Sequence, residues 1–139
     1  MDLDQALGAA RANHQAVLTT IRRDGRPQLS NVLQAVGDDG VVRISTTADR
    51  AKTANLRRTP WAAVHVNGDD FWSYAVIEGE VTVSSVATEP GDATVDELVD
   101  LYRALSGEHA DWDDYRAAMV RDRRVVVRLA PTRAYGMLR

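Results

Sequence analysis

No cysteine occurs among the 139 residues, so disulfides and thiolate metal sites are excluded, and a reducing cytoplasm is the expected setting. No run approaches the roughly 18 apolar residues that a membrane span requires. The opening "MDLDQALGAARANHQ" has two early acids and no apolar core of signal-peptide length. A membrane partner is therefore not expected. The three histidines, His14, His65 and His109, stand far apart and none has metal-ligand spacing, so no metal is expected either. G-x-S-x-G, the P-loop and G-x-G-x-x-G are all missing. A net charge of −3 leaves no broad basic surface of the kind that nucleic acid binding needs. Any redox or transfer chemistry must then come from a bound cofactor acting on a small-molecule substrate.

What is present reads as one globular domain over residues 1–139, with 45% hydrophobic and 27% charged residues. Leu3, Ala6, Leu7 and Ala10 have the spacing of a short first helix. Val17 to Ile21 is strand-like, Asp24-Gly25 is a hairpin signal, and Gln28 to Val36 alternates as a second strand. "GDDG" turns the chain into a third strand, "VVRISTT". "DRAKTANLRR" follows as a helix, with Asp49 as its expected N-cap and Pro60 beyond its end. "WAAVHVN" returns to strand, and "FWSYAVIEGEVTVSS" predicts a long strand or bent pair interrupted at Gly79. Two further helices are expected, the first with a Thr94–Glu97 capping box, before a strand from Val125 to Leu129. Closely spaced hairpins with few helices predict an α+β fold, mainly β: a small antiparallel barrel with helices packed outside.

The densest cationic stretch is "TTADRAKTANLRRTP", with Arg50, Lys52, Arg57 and Arg58 on one short helix. Cations in a first helical turn oppose the helix dipole unless an anion compensates, so Arg50 and Lys52 carry the signal. Arg57 and Arg58 stand in the last turn, where cations are favourable anyway. A solvated basic face is the equally weighted alternative. Ser45, Thr46 and Thr47 just upstream offer hydroxyls suited to phosphate oxygens.

Two other stretches stand out. In "RPQLSNV", Gln28, Ser30 and Val32 face one side of a strand and Leu29, Asn31 and Leu33 the other. Such polar groups suit the edge of a flat heterocycle or an exposed barrel face. In "FWSYAV", alternation puts Trp72 and Tyr74 on one side and Phe71 and Ser73 on the other, as core, cofactor wall or subunit interface. His109, set among acids, reads as part of a local hydrogen-bonded turn.

The stretches "VLTTIRRDGRPQLSNV", "STTADRAKTANLRRTPWAAVHV", "WSYAVIEGEV" and "YRALSGEHADWDDYRAAMVRDRRVVVRL" cover nearly the whole chain in order. Together they resemble the actinobacterial F420-dependent members of the pyridoxamine 5′-phosphate oxidase-like superfamily, the flavin/deazaflavin oxidoreductases of the split β-barrel fold. The resemblance implies a homodimer with two cofactor sites, each built from both chains. The phosphate of coenzyme F420 would lie against Arg50, Ala51 and Lys52, with help from Ser45, Thr46 and Asn55. The tricyclic ring would lie along Gln28, Leu29, Ser30 and Asn31. Trp72, Ser73 and Tyr74 of the second subunit would wall it in. Four cations on the helix suit F420, with its phosphodiester and glutamate carboxylates, better than the single phosphate of FMN. FMN on the same fold is the alternative, and a non-catalytic F420 or haem carrier is another. A true pyridoxamine phosphate oxidase would need an additional C-terminal basic site, which is missing. The implied activity is hydride transfer from F420H2 to an electron-poor acceptor, with no obligatory acid–base residue identified.

Overall fold

The computed structural model describes residues 1–139. Its elements run α1 (Leu3–Ala12), β1 (Gln15–Ile21), β2 (Pro27–Leu33), β3 (Ala35–Val36), β4 (Val42–Thr47), α2 (Ala51–Arg58), β5 (Trp61–Asn67), β6 (Tyr74–Val83), α3 (Ala93–Ser106), α4 (Trp112–Arg121) and β7 (Arg124–Met137). All seven strands join one antiparallel sheet in the order β2-β1-β5-β6-β7-β4-β3. The expected α+β split barrel is what the chain forms. The Asp24-Gly25 turn closes the β1–β2 hairpin, with Gly25 at φ 85°, a backbone conformation that glycine adopts without strain.

The sheet curls so that its inner face is closed by α1. Leu18, Ile44, Val64, Ile77 and Leu129 meet Ala6, Leu7 and Ala10 there in one apolar cluster. Helix α1 begins with a capping box in which Asp2 and Gln5 satisfy each other's backbone N–H groups. A second cluster forms where α3 and α4 pack on the other face of β7: Val95, Leu98, Val99 and Met119 close over Val126. The Val125-Val126-Val127 run is therefore buried on both faces.

Four details differ from the sequence-based expectation. Strand β6 runs unbroken through Gly79, which instead faces a β-bulge on β7. A Cβ at Gly79 would collide with the Ala130 carbonyl, so the bulge requires glycine. The second strand ends at Leu33 and resumes as β3, because Gln34 turns fully inward and donates to the carbonyls of Ala10 and Asn13. Helix α3 is capped by Asp92, which accepts from Val95 N at 2.8 Å. Thr94 is turned to the Ser85 carbonyl, and Glu97 binds Arg43 and Arg128, so the expected capping box does not form. Finally, strand β7 extends to Met137 because its second half pairs along β6.

Candidate functional site

The sheet does not close. Its two ends, β2 on one side and β4 with β3 on the other, face each other without pairing. The free edge of β2 therefore keeps part of its backbone N–H and C=O groups available. The split is a groove of about 460 Å³ lined by Asn31, Val32 and Leu33 of β2, Ser45 and Thr46 of β4, Arg50 and Lys52 at the start of α2, Leu105 of α3 and Arg124 of β7. Its lining holds three cations and no carboxylate.

Local structure explains why the cations stay free. Helix α2 begins at Ala51 with Arg50 in the N-cap position, and no side chain caps it. Asp49, the expected cap, is held by Thr47, whose hydroxyl donates to the carboxylate at 2.6 Å. That bond, with Arg50 and Arg123 nearby, keeps the Asp49 carboxyl below its usual range. The first N–H groups of α2 are left without a side-chain acceptor. Lys52 has no acidic partner, and its ammonium reaches Ser30 Oγ at 3.4 Å, across the split. Burial, then the charges of Arg50 and Arg124, lower its pKa. A lysine held in that state is stabilised by an arriving anion.

Arg124 enters the groove from far along the sequence, brought there by the register that sets Thr47 opposite Arg124 and Thr46 opposite Val125. It donates to Ser45 Oγ at 3.5 Å, while its buried Nε has no hydrogen-bond partner. Sequence reading missed this residue. On its other side Arg124 opens onto a second basin of about 690 Å³, shared with Arg50, Ala51, Arg121 and Arg123 and edged by Asp49 and Asp122. Arg123 stands at φ 53°, an unusual conformation for a non-glycine residue, in the turn that delivers Arg124.

The last-turn cations of α2 do not join this site. Arg57 donates to the Ser84 carbonyl, and Arg58 to the Ile21 carbonyl and Asn55 Oδ1. The expectation of four cations facing one anion is corrected to two from α2, with Arg124 added from β7. Asn55 is buried, and its amide donates to Thr20 Oγ1 at 3.1 Å and Gln28 Oε1 at 2.8 Å. With both donors used inside the chain, it is a strut beneath the groove rather than a donor to an anion. Strand β2 alternates as read from the sequence: Gln28 and Ser30 are half-buried, while Leu29 and Asn31 are exposed on the outer face of the sheet.

Trp72, Ser73 and Tyr74 are not brought to this groove within the chain. Phe71 and Trp72 occupy the turn before β6, both exposed, with their rings edge to face at 4.8 Å. The expected alternation fails there because strand geometry begins only at Tyr74. Ser73 is buried and accepts from Arg139 N, and Tyr74 stacks on His65 at 5.4 Å with the rings nearly parallel. His109 accepts from Asp111 N at 2.9 Å, forming the local turn expected of it.

The sequence matches the family described as pyridoxamine 5′-phosphate oxidase over residues 3–138. Among solved structures, the chain is similar to a conserved hypothetical protein of Mycobacterium tuberculosis (TM-score 0.73, 23% identity, 96% of this chain and 82% of that one). It is similar to an F420 reductase at TM-score 0.64 and 24% identity, over 87% of this chain and 88% of the other. The haem storage protein HutZ of Vibrio cholerae shares the fold at TM-score 0.68 and 13% identity, over 98% and 95% of the two chains. The match over residues 3–138, together with a seven-stranded split barrel, makes this chain a member of the pyridoxamine 5′-phosphate oxidase family.

Proposed function

We propose that the protein is a reductase that uses coenzyme F420H2 to reduce an electron-poor small molecule, working as a homodimer. The observation that carries this reading is the carboxylate-free groove, in which Arg50, Lys52 and Arg124 converge beside Ser45 and Thr46. An uncompensated cluster of this kind is a site for a phosphate. Arg124 suits the role further, since its buried Nε lacks a partner within the chain. The ring would lie on the free edge of β2, along Gln28 to Asn31, where open backbone groups meet its carbonyl and N–H edges. Asn55 holds Gln28 in place for it. When bound, the reduced coenzyme supplies the hydride; the chain supplies orientation and charge.

The second basin favours F420 over FMN. Arg121 and Arg123 add to Arg50 and Arg124 there, and a coenzyme with carboxylates beyond its phosphate can use them. FMN on the same fold is the second reading, supported by the engagement of Arg57 and Arg58 elsewhere: three free cations suffice for one phosphate. The likeness to a haem storage protein adds haem carriage as an outcome to test.

The homodimer reading rests on the outer sheet face and the turn beside it, where Leu29, Leu33, Phe71 and Trp72 are each more than half exposed. Large apolar groups left exposed in this way suit a second copy of the chain. Trp72, Ser73 and Tyr74 of that copy would then wall in the ring.

Titrations of the purified protein with F420, FMN and haemin, at moderate salt, test these readings. Tight F420 binding with feeble FMN binding, followed by turnover of an acceptor with F420H2, supports the reductase. Preference for FMN or haemin overturns it in favour of that ligand. Binding of none removes the explanation of the groove.

A further inference from the structure

Lys52 is the single lysine of the chain: every other residue among its 17 Lys and Arg is an arginine. An arginine guanidinium keeps its proton throughout and serves only as a charge and a donor. A lysine amine can also lose its proton, and the free amine is a nucleophile. The one side chain with that second option stands in the cationic groove. The α-amine of Met1 is the only other primary amine of the chain, and Met1 does not line the groove.

The surroundings of the Lys52 amine favour the free base. No carboxylate lines the groove, and the hydrogen-bond partner of the amine is a hydroxyl, Ser30 Oγ, at 3.4 Å across the split. The side chain is half-buried, with the charges of Arg50 and Arg124 beside it. Desolvation and a neighbouring cation are two ways in which proteins make a lysine nucleophilic. The same two arginines are ready partners for an anion. With the hydroxyls of Ser45 and Thr46 they form a donor set suited to the several acceptor oxygens of a phosphate. A small molecule whose phosphate engages the arginines therefore brings the rest of its body to the amine.

We infer that the groove captures small phosphorylated aldehydes, which Arg50 and Arg124 hold by the phosphate while Lys52 condenses with the carbonyl to form an imine. The amine lone pair attacks the carbonyl carbon and a C–N bond forms. The carbonyl oxygen then leaves as one water, carrying the two hydrogens of the amine, and C=N remains. No oxidant or reductant takes part. The Ser30 hydroxyl, within reach of Nζ, is placed to relay a proton between amine and oxygen. Water reverses the condensation, so the capture is reversible. It stands on the groove alone. Its consequence, that the adduct and the coenzyme phosphate exclude each other, rests on the reductase reading.

The test uses the whole protein with no flavin or deazaflavin added, so that failure of the cofactor reading leaves it unaffected. Glycolaldehyde phosphate at millimolar concentration is added with sodium cyanoborohydride, which reduces an imine to a stable secondary amine. Peptide mapping by mass spectrometry then reads the rate of labelling at each amine. Lys52 should label at least tenfold faster than Met1. Propanal, which lacks the phosphate, should show no such preference. Excess inorganic phosphate should slow labelling at Lys52 and leave Met1 unchanged. The variants Arg50→Gln and Arg124→Gln should each slow labelling at Lys52 at least threefold, with Met1 as the internal control. Equal rates at the two amines with the phosphorylated aldehyde, the same preference with propanal, no protection by phosphate, or unchanged rates in both variants would overturn the assignment.

Discussion

The amide of Asn55 donates to Gln28 Oε1 at 2.8 Å, and this bond joins α2 to the free-edge strand β2 beneath the split in the barrel. The same amide donates to the buried Thr20 hydroxyl, and its oxygen accepts from Arg58. Three elements thus meet at one side chain.

Replacing Asn55 by alanine leaves the Thr20 hydroxyl and the Gln28 amide without that partner. A buried group so orphaned costs about 1–3 kcal/mol. Urea unfolding of Asn55→Ala should show a loss in that range, together with weaker binding of the coenzyme. A change below about 0.5 kcal/mol, ordinary for a surface position, would mean that the strut carries no weight.

Lys52 binds its proton less tightly in the folded chain than in the unfolded one, because burial and the charges of Arg50 and Arg124 disfavour the ammonium. Between the lowered value and the ordinary 10.5, the unfolded chain holds more protons, so stability should rise with pH across that window. The variant Lys52→Met should remove that slope and raise the melting temperature of the unliganded protein at neutral pH. It should also weaken coenzyme binding by roughly 1–3 kcal/mol, as should Arg50→Ala. Calorimetry and thermal melts check both halves, and a variant that melts lower while binding normally would contradict them.

Glu97 behaves in the opposite sense. Arg128 first, and Arg43 after it, hold its carboxyl below the ordinary value of 4.5. The folded chain then keeps the carboxylate ionised where the unfolded chain would protonate it. Stability from this group is present above about pH 4.5 and is lost as pH falls through the lowered folded value. The variant Glu97→Gln should be less stable at pH 7 and should lose less stability on acidification. Parallel acid slopes in chemical denaturation at pH 3 to 7 would rule out this role.

The outer sheet face predicts self-association. Burying a leucine side chain contributes about 1.5–3 kcal/mol, and Leu29 and Leu33 lie on that face with 61% and 51% of their surface exposed. Light scattering should report a dimer for the natural chain and a monomer for the Leu29→Asp, Leu33→Asp pair. A monomeric natural chain that still binds F420 tightly would remove the shared-site reading.

Much of the fold could be read from local signals. The Asp24-Gly25 turn, the alternation of β2 and the basic start of α2 depend on neighbours a few residues apart, and the structure keeps all three. What could not be read depends on distant partners. Arg124 looks like one of several arginines near a strand start until β4 pairs with β7 and sets it beside Ser45. Asn55 looks like another helix-surface amide until the curl of the sheet brings Thr20 and Gln28 beneath it. Arg57 and Arg58 mislead for the same reason: the carbonyls that occupy them, Ser84 and Ile21, belong to other segments. Phe71 misleads because the tight turn stabilised by Asp70, which accepts from Trp72 N and Ser73 N, delays the strand until Tyr74.

The order of strands carries one more consequence. Strand β4 has only β3 and β7 as sheet neighbours, and β7 is the last element of the chain. During vectorial synthesis the β1–β2 hairpin and the β5–β6 pair can form as they leave the ribosome, whereas Ser45 and Thr46 wait for residues beyond Arg124. The wall of the groove that Ser45 and Thr46 form is therefore finished only when β7 pairs with β4, so on the proposed reading a nascent chain gains its coenzyme site with that last strand of the sheet.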